Sequence, residues 1–102
     1  MHKVLVTDFA KENLKYIFEY YKVAANISLA KKIKSEIKKA VLSLKDSSID
    51  WQEDEYLRPL SMNHRRLICG NYKIIYYRDW ELKVTYVTDI FDARQDPQKE
   101  NP

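Results

Sequence analysis

The sequence predicts a single α+β domain. An N-terminal strand and a helical hairpin precede a three-stranded antiparallel meander, with the helices on one face of the sheet. Apolar residues recur at helical spacing in two stretches of the first half, and β-branched and aromatic residues crowd the last third. The 102 residues include only one Gly and three Pro, so few positions interrupt regular structure.

The first strand leads directly into the first helix. Val4-Leu5-Val6 is a short apolar run, and Thr7 or Asp8 can accept a hydrogen bond from the first free amides of a helix. The apolar residues that follow fall at steps of three and four, which predicts a helix with one apolar face. They are Ala10, Leu14, Ile17, Phe18, Tyr21 and Ala25. For Tyr16, Tyr20, Tyr21 and Phe18, this spacing favours core packing over stacking on nucleotide bases.

A second apolar stripe predicts a second helix, with Asn26 or Ser28 as its N-cap. The break over residues 23–26 is short, and short connections favour antiparallel neighbours. Five lysines make the outer side of this helix basic, which is typical of a solvated face rather than a phosphate site. The stripe consists of Ala30, Ile33, Ile37, Ala40, Val41 and Leu44, and the lysines are Lys31, Lys32, Lys34, Lys38 and Lys39.

Three strands are predicted after a polar connection over residues 46–55, in which Trp51 is the large apolar anchor. The first begins near residue 65 and ends at Gly70-Asn71, a dipeptide that tolerates the positive φ of a tight hairpin turn. Strands over residues 72–78 and 83–91 complete the meander, with a reversal at residues 79–81 between them.

Composition narrows the class of protein. The net charge of +3 and pI of about 8.9 are mildly basic and short of a histone-like excess. The lone Cys69 excludes an intrachain disulfide and fits a reducing cytosol. No apolar run approaches the length of a signal peptide or a membrane span. We therefore expect a cytoplasmic protein with one domain over residues 1–102, a loose tail at 98–102 and no membrane partner.

The predicted sheet has a face that the helices do not cover. Ile74 and Tyr76 point to one side of their strand, and Ile75 and Tyr77 point to the other, so both faces carry large apolar groups. An uncovered apolar face on a small protein indicates a partner. The alternative is that the connection around Trp51, or the tail, folds over this face.

Two motifs carry a family resemblance. Residues 70–76 read Gly-Asn-Tyr-Lys-Ile-Ile-Tyr, and residues 92–97 read Asp-Ala-Arg-Gln-Asp-Pro. With the helix-rich stretch over residues 14–44 before them, they resemble the RelE/ParE superfamily of bacterial toxins across nearly the whole chain. The resemblance implies a toxin of a type II toxin–antitoxin system, of the kind tied to plasmid stabilization and growth arrest. It also implies a cognate antitoxin that wraps a segment over the toxin.

We expect the antitoxin to contact the last two strands and the residue that follows them. The predicted contact residues are Ile74, Ile75, Tyr76, Tyr77, Tyr86 and Arg94. A disordered segment that folds onto a preformed surface would hide an apolar sheet face.

The superfamily divides by target. Its RelE-like members cut mRNA on the ribosome, and its ParE-like members inhibit DNA gyrase without a known nuclease site. Arg94 matches an arginine of the RelE-like pattern. However, Ile68 and Cys69 stand where another arginine is expected, and no Tyr or His follows Arg94. We therefore favour a ParE-like gyrase inhibitor that is not an enzyme. The alternatives are a ribosome-dependent ribonuclease and a non-toxic interaction domain of the same fold.

The ribonuclease alternative would depend on general acid–base chemistry at Arg94, Arg66, Arg65 and His64. Arg94 follows Asp92, so a surface ion pair is its simpler interpretation. Arg65 and Arg66 are adjacent on a strand, so one is expected on each face. His64 could be a general base, since an unperturbed histidine titrates near neutral pH, yet a lone loop histidine is more often solvated. His2 is expected to be inert, and the Cys and His spacing predicts neither a metal nor a cofactor.

Overall fold

A computed structural model describes residues 2–46 and 64–93. The predicted connection around Trp51, Arg94 and the tail lie outside these ranges. The described elements follow the predicted order. They are β1 (Lys3–Val6), α1 (Asp8–Ala24), α2 (Ile27–Ser43), β2 (Arg65–Cys69), β3 (Tyr72–Asp79) and β4 (Val84–Asp92).

Both helices begin at side-chain caps. Thr7 Oγ1 accepts a hydrogen bond from the Ala10 amide at 3.2 Å, and Asn26 Oδ1 accepts one from the Leu29 amide at 2.8 Å. These bonds satisfy amides that have no partner inside the helix. Of the two candidates predicted for each cap, Thr7 and Asn26 are therefore confirmed. Only Ala25 and Asn26 separate α1 from α2, so the two helices pack as a hairpin.

We expect Thr7→Ala and Asn26→Ala each to lower the free energy of unfolding by about 1 kcal/mol, because each leaves a helix amide without its partner. Urea denaturation measures the change. Ser28→Ala is the matched control, since Ser28 lies within α2 and is not its cap. An equal loss from Ser28→Ala would contradict the assignment of Asn26.

The four strands form one sheet in the order β1-β4-β3-β2. β2, β3 and β4 are the predicted antiparallel meander, and β1 pairs in parallel with β4. β4 has one extra residue opposite β3, because Ile75 pairs with Asp89 whereas Tyr76 pairs with Val87. This bulge bends the strand locally. The α+β fold class is confirmed, with β1 joining the sheet at its edge.

The hairpin and one face of the sheet bury a common core. Both predicted helical stripes contribute, as do alternate residues of β2, β3 and β4. The fully or nearly fully buried members include Ala10, Ile17, Ile37, Leu44, Leu67, Tyr72, Ile74, Tyr76, Val87 and Ile90.

The prediction that Tyr16 and Tyr20 pack in the core is wrong. Their exposed fractions are 73% and 57%, and only Phe18 and Tyr21 are partly buried. A helix turns by about 100° per residue. Tyr16 and Tyr20 therefore lie roughly 130° and 90° around α1 from the centre of the stripe formed by Ala10, Leu14, Ile17 and Tyr21.

Arg78 joins the end of α2 to the sheet. Its Nη1 donates to the Leu44 carbonyl oxygen at 2.9 Å and to Thr85 Oγ1 at 2.7 Å, and its Nη2 donates to the Asp46 carbonyl oxygen at 3.3 Å. His2, expected to be inert, is buried in the same region, with Nδ1 3.2 Å from Thr85 Oγ1. The His2 amide also donates to the Lys45 carbonyl oxygen at 3.1 Å. The start of the chain is therefore part of this junction.

Neither described helix is long and apolar enough to cross a membrane. Within residues 2–46 and 64–93, no group of three or more His, Cys, Asp and Glu side chains is arranged to hold a metal ion.

Candidate functional site

The sheet face opposite the core carries several of the predicted contact residues. Strand alternation and register place Ile75, Tyr77 and Tyr86 there. The Tyr77 and Tyr86 rings stack with their centres 5.1 Å apart and their planes at 26°. Both side chains are partly exposed, whereas Ile75 has no exposed surface. Among the predicted contact residues that the structure describes, Tyr77 and Tyr86 are thus the two that offer surface to a partner.

Ile74 and Tyr76 lie on the core side, and neither has exposed surface. A contact residue must be accessible, so direct contact by these two does not fit their position. We place them, together with the fully buried Ile75, in the scaffold that supports the tyrosine pair. For Ile74 and Tyr76 the reason is strand alternation, which sends every second residue of β3 toward the helices.

His64 helps to cover the face that the sequence predicted to be bare. It is 1% exposed, and its ring meets the edge of Tyr77 with centres 5.3 Å apart. The expectation of a solvated loop histidine is therefore wrong, because the His64 ring packs against Tyr77 of the sheet. Among the described strand residues on this face, the exposed large aliphatic side chains are at its edges, namely Leu5 (39%) on β1 and Ile68 (52%) on β2.

Arg65 and Arg66 lie on opposite faces of the sheet, as the sequence predicted. Arg65 pairs with Tyr76 and Arg66 with Ile75, so they lie on opposite faces of β2. Both are partly buried. Arg94 is outside the described residues, and the residue before it, Ala93, donates its amide to the Asn71 carbonyl oxygen at 2.6 Å.

This geometry separates His64 from the end of the described chain. Tyr77, beside His64, lies six residues along the chain from Asn71, beside Ala93. At the rise of an antiparallel strand, this is a distance of about 20 Å. The described residues therefore do not bring His64 near the point where the chain continues to Arg94.

Ile68 and Cys69 occupy the strand end where a RelE-like pattern has an arginine. Cys69 is partly buried and lines a cavity of about 250 Å³ between α2 and the β2–β3 hairpin. Burial raises the pKa of its thiol, and the nearby Glu36 carboxylate raises it further. A thiol with a raised pKa is a poor nucleophile at neutral pH, so this position does not replace the missing cation.

A larger groove lies between α1 and the ends of β3 and β4. Its volume is about 600 Å³. Phe9, Asn13, Tyr16 and Tyr20 of α1 form one wall, and Tyr72 and residues 89–92 line the other side. We call this surface the α1 groove. The sequence interpretation missed it, although Tyr16 and Tyr20 are four residues apart and off the core stripe, a signal that a helical wheel displays.

Comparisons with known proteins point to one family. The sequence profile described as "ParE toxin of type II toxin-antitoxin system, parDE" matches residues 4–97. A solved chain of the chromosomal ParDE toxin–antitoxin system from P. aeruginosa is similar in structure, with a TM-score of 0.76 at 18% sequence identity. The match covers 90% of this chain and 96% of that one. At this identity the likeness shows the fold alone. No curated protein gave a significant match.

Proposed function

Because the chain belongs to the ParE toxin family of type II toxin–antitoxin systems, we propose that it arrests bacterial growth by inhibiting DNA gyrase. A cognate antitoxin neutralises it. The toxin encounters both the antitoxin and DNA gyrase in the cytoplasm. The observation that carries the proposal is the family match over residues 4–97, which includes both helices and the meander. The protein acts by binding and not as an enzyme.

The positions of the basic candidates support gyrase over mRNA as the target. RNA cleavage by general acid–base chemistry needs proton-transfer and phosphate-binding groups within hydrogen-bond reach of one scissile bond. His64 is buried against Tyr77, Arg65 and Arg66 lie on opposite faces, and Ile68 and Cys69 replace a cation. A ribosome-dependent ribonuclease therefore remains the second candidate, with Arg94 as the residue in its favour.

Induction of this chain alone in a bacterium tests the proposal. We expect growth arrest with loss of negative supercoiling in a reporter plasmid and an SOS response, because a blocked gyrase leaves broken and relaxed DNA. Primer extension on abundant mRNAs is run on the same cultures. Cleavage at codon positions with intact supercoiling would overturn the proposal in favour of the ribonuclease. Unimpaired growth would favour the non-toxic interaction domain.

Arg94→Ala is expected to relieve growth arrest if Arg94 contacts the target. Antitoxin binding should stay nearly intact, because Arg94 is one of six predicted antitoxin contacts. Colony counts after induction measure toxicity, and co-purification with the antitoxin measures binding. Lys99→Ala, five residues further along the chain, is the control for simple loss of positive charge. Undiminished toxicity of Arg94→Ala would remove this residue from the proposed site.

The sheet face is our proposed antitoxin surface, and Tyr77→Asp should weaken antitoxin binding by more than about 1 kcal/mol. The reason is that a carboxylate would replace a partly exposed ring that stacks on Tyr86. Ile75→Asp is unsuitable, because Ile75 is fully buried and the charge would unfold the protein. Isothermal titration of the folded variant measures the affinity.

Leu42→Asp is the matched control for Tyr77→Asp, since Leu42 is 55% exposed on α2. It should leave the affinity unchanged. Equal weakening by both variants would show that the effect does not come from the tyrosine pair.

A further inference from the structure

The outer side of the helical hairpin carries a band of lysines to which both helices contribute. On each helix three lysines recur at steps of three, four or seven residues, so they fall within about 60° of one another around the helix axis. All of them except Lys34 are exposed. We call this band the lysine seam. Its members are Lys11, Lys15 and Lys22 of α1 and Lys31, Lys34 and Lys38 of α2.

One contact shows that the two rows of lysines meet where α1 packs beside α2. Lys34 Nζ lies 5.0 Å from the centre of the Phe18 ring, and both side chains are partly buried. The helices are antiparallel neighbours, so one turn from this contact Lys15 comes level with Lys38, and one turn the other way two further members do the same. The sequence interpretation took the lysines of α2 as a solvated face, because it did not place those of α1 beside them.

Most of the positive charge of the seam is uncompensated. Lys22 pairs with Glu19 at 3.7 Å, and this pair is about half exposed. Within residues 2–46 and 64–93, the other five members form no ion pair. Asp8 and Glu12 flank the seam on the side of α1 away from α2, and Glu36 lies on the far side of α2. The two helices carry eight lysines and four carboxylates, a net charge of +4 on a chain whose total is +3.

The lysines of the seam are close enough to repel one another. Packed helix axes are about 8–10 Å apart, which is similar to the distance of about 8 Å over which physiological salt screens a charge. A dense row of negative charges that lies along the seam relieves this repulsion. The seam therefore favours a polyanion over a ligand with a single negative group.

We propose that the lysine seam binds the phosphate backbone of double-stranded DNA without reading its sequence. The ammonium groups donate hydrogen bonds to phosphate oxygens, and the release of counterions from the duplex drives binding. Lys11 and Lys22 are eleven positions apart, which is about 16 Å along α1. At an axial rise of about 3.4 Å per phosphate, this length spans about five phosphates of one strand.

The side chains around the seam disfavour other polyanions. An acidic helix or an anionic membrane needs a continuous apolar surface besides charge. Among the described residues on this side of α2, the exposed large apolar ones are Ile27 and Leu42, about 22 Å apart along the helix. A single strand of nucleic acid binds by stacking its bases on exposed rings, whereas Phe18 is partly buried beside Lys34.

This proposal goes beyond gyrase inhibition and does not depend on it. The seam lies on the outer side of the helices, and the Tyr77–Tyr86 pair lies on the opposite face of the sheet. The experiment below uses the purified full chain without gyrase or antitoxin. Its failure would therefore leave the proposed function standing, and intact supercoiling in the induced bacterium would leave the seam standing.

Fluorescence anisotropy with a labelled duplex of about 20 base pairs and mixed sequence tests the proposal. The affinity is measured between about 50 and about 200 mM salt, and we expect the logarithm of the binding constant to fall with that of the salt concentration with a slope of about −4. A poly-glutamate peptide of similar length should bind at least about tenfold more weakly, because its charges are less dense. No binding of the duplex at low salt, or equal affinity for the peptide, would overturn the proposal.

Two double variants with the same loss of charge locate the binding. Lys15→Ala with Lys38→Ala removes one level of the seam, so it should weaken the duplex at least about tenfold at low salt and make the slope shallower by about 2. Lys32→Ala with Lys39→Ala is the matched control, because both lie outside the seam on α2. It should change the affinity by less than about twofold. All four lysines are exposed, so circular dichroism should show an unchanged fold. Equal losses in the two double variants would overturn the proposal, since binding would then follow net charge alone.

Discussion

Ile74→Ala is expected to lower the free energy of unfolding by about 2–5 kcal/mol. Ile74 has no exposed surface, and it lies on the core side of β3, next to Leu67 of β2 and Ile90 of β4. Alanine there loses buried apolar surface and leaves a cavity that the packed sheet cannot fill. Domains of this size are stable by about 5–15 kcal/mol in total, so the variant should be visibly less stable at growth temperature.

Ile68→Ala is the matched control, because the same side chain is 52% exposed on the neighbouring strand. We expect Ile68→Ala to lower the free energy of unfolding by less than about 1 kcal/mol. Urea denaturation followed by circular dichroism measures both variants. Similar midpoints would contradict the assignment of Ile74 to the core and would restore it as a residue for partner contact.

Arg78→Ala is expected to destabilise the protein by about 2–3 kcal/mol. The guanidinium donates to Leu44 and Asp46 carbonyl oxygens and to Thr85 Oγ1, and it lies 5.4 Å from the centre of the Tyr76 ring. Its loss leaves the carbonyl oxygens at the end of α2 without a charged donor and releases that end from the sheet. The measurement is again the midpoint of urea denaturation.

Two further variants separate geometry from charge. Arg78→Lys keeps the charge but not the planar fork of donors. Its stability should therefore lie between those of the wild type and Arg78→Ala. Lys22→Ala removes a cation whose ion pair with Glu19 is exposed and 3.7 Å long, and it should change stability very little. If Arg78→Lys were as stable as the wild type, charge alone would account for the role of Arg78.

The elements of the fold could be predicted because their signals are local. Helical spacing, the caps at Thr7 and Asn26 and the Gly70-Asn71 turn each depend on neighbouring residues, and Gly70 has the expected positive φ of 58°. Strand pairing is not local. The sequence of β1 does not indicate that it lies beside β4, and the extra residue of β4 opposite Ile75 and Tyr76 leaves no pattern in composition.

The candidate surfaces were less predictable for a related reason. Periodicity shows which residues share a face but not what covers that face. Ile75 and His64 were expected to be accessible, and both are buried. Tyr16 and Tyr20 were expected in the core, yet they form a wall of the α1 groove. For Ile75 and His64 the decisive information is what packs over them, which composition and spacing do not contain. For Tyr16 and Tyr20 the helical wheel already places them off the core stripe.

The parallel pairing of β1 with β4 has a consequence for biosynthesis. Among the described strands, β1 has β4 as its sole neighbour, and their paired residues are about 80 positions apart. A nascent chain that ends before β4 thus lacks the strand with which β1 pairs. Such long-range closure slows folding, and it makes the synthesis of β4 the step that completes the pairing of β1. Ribosome-bound fragments should accordingly be protease-sensitive until residues 84–92 have emerged.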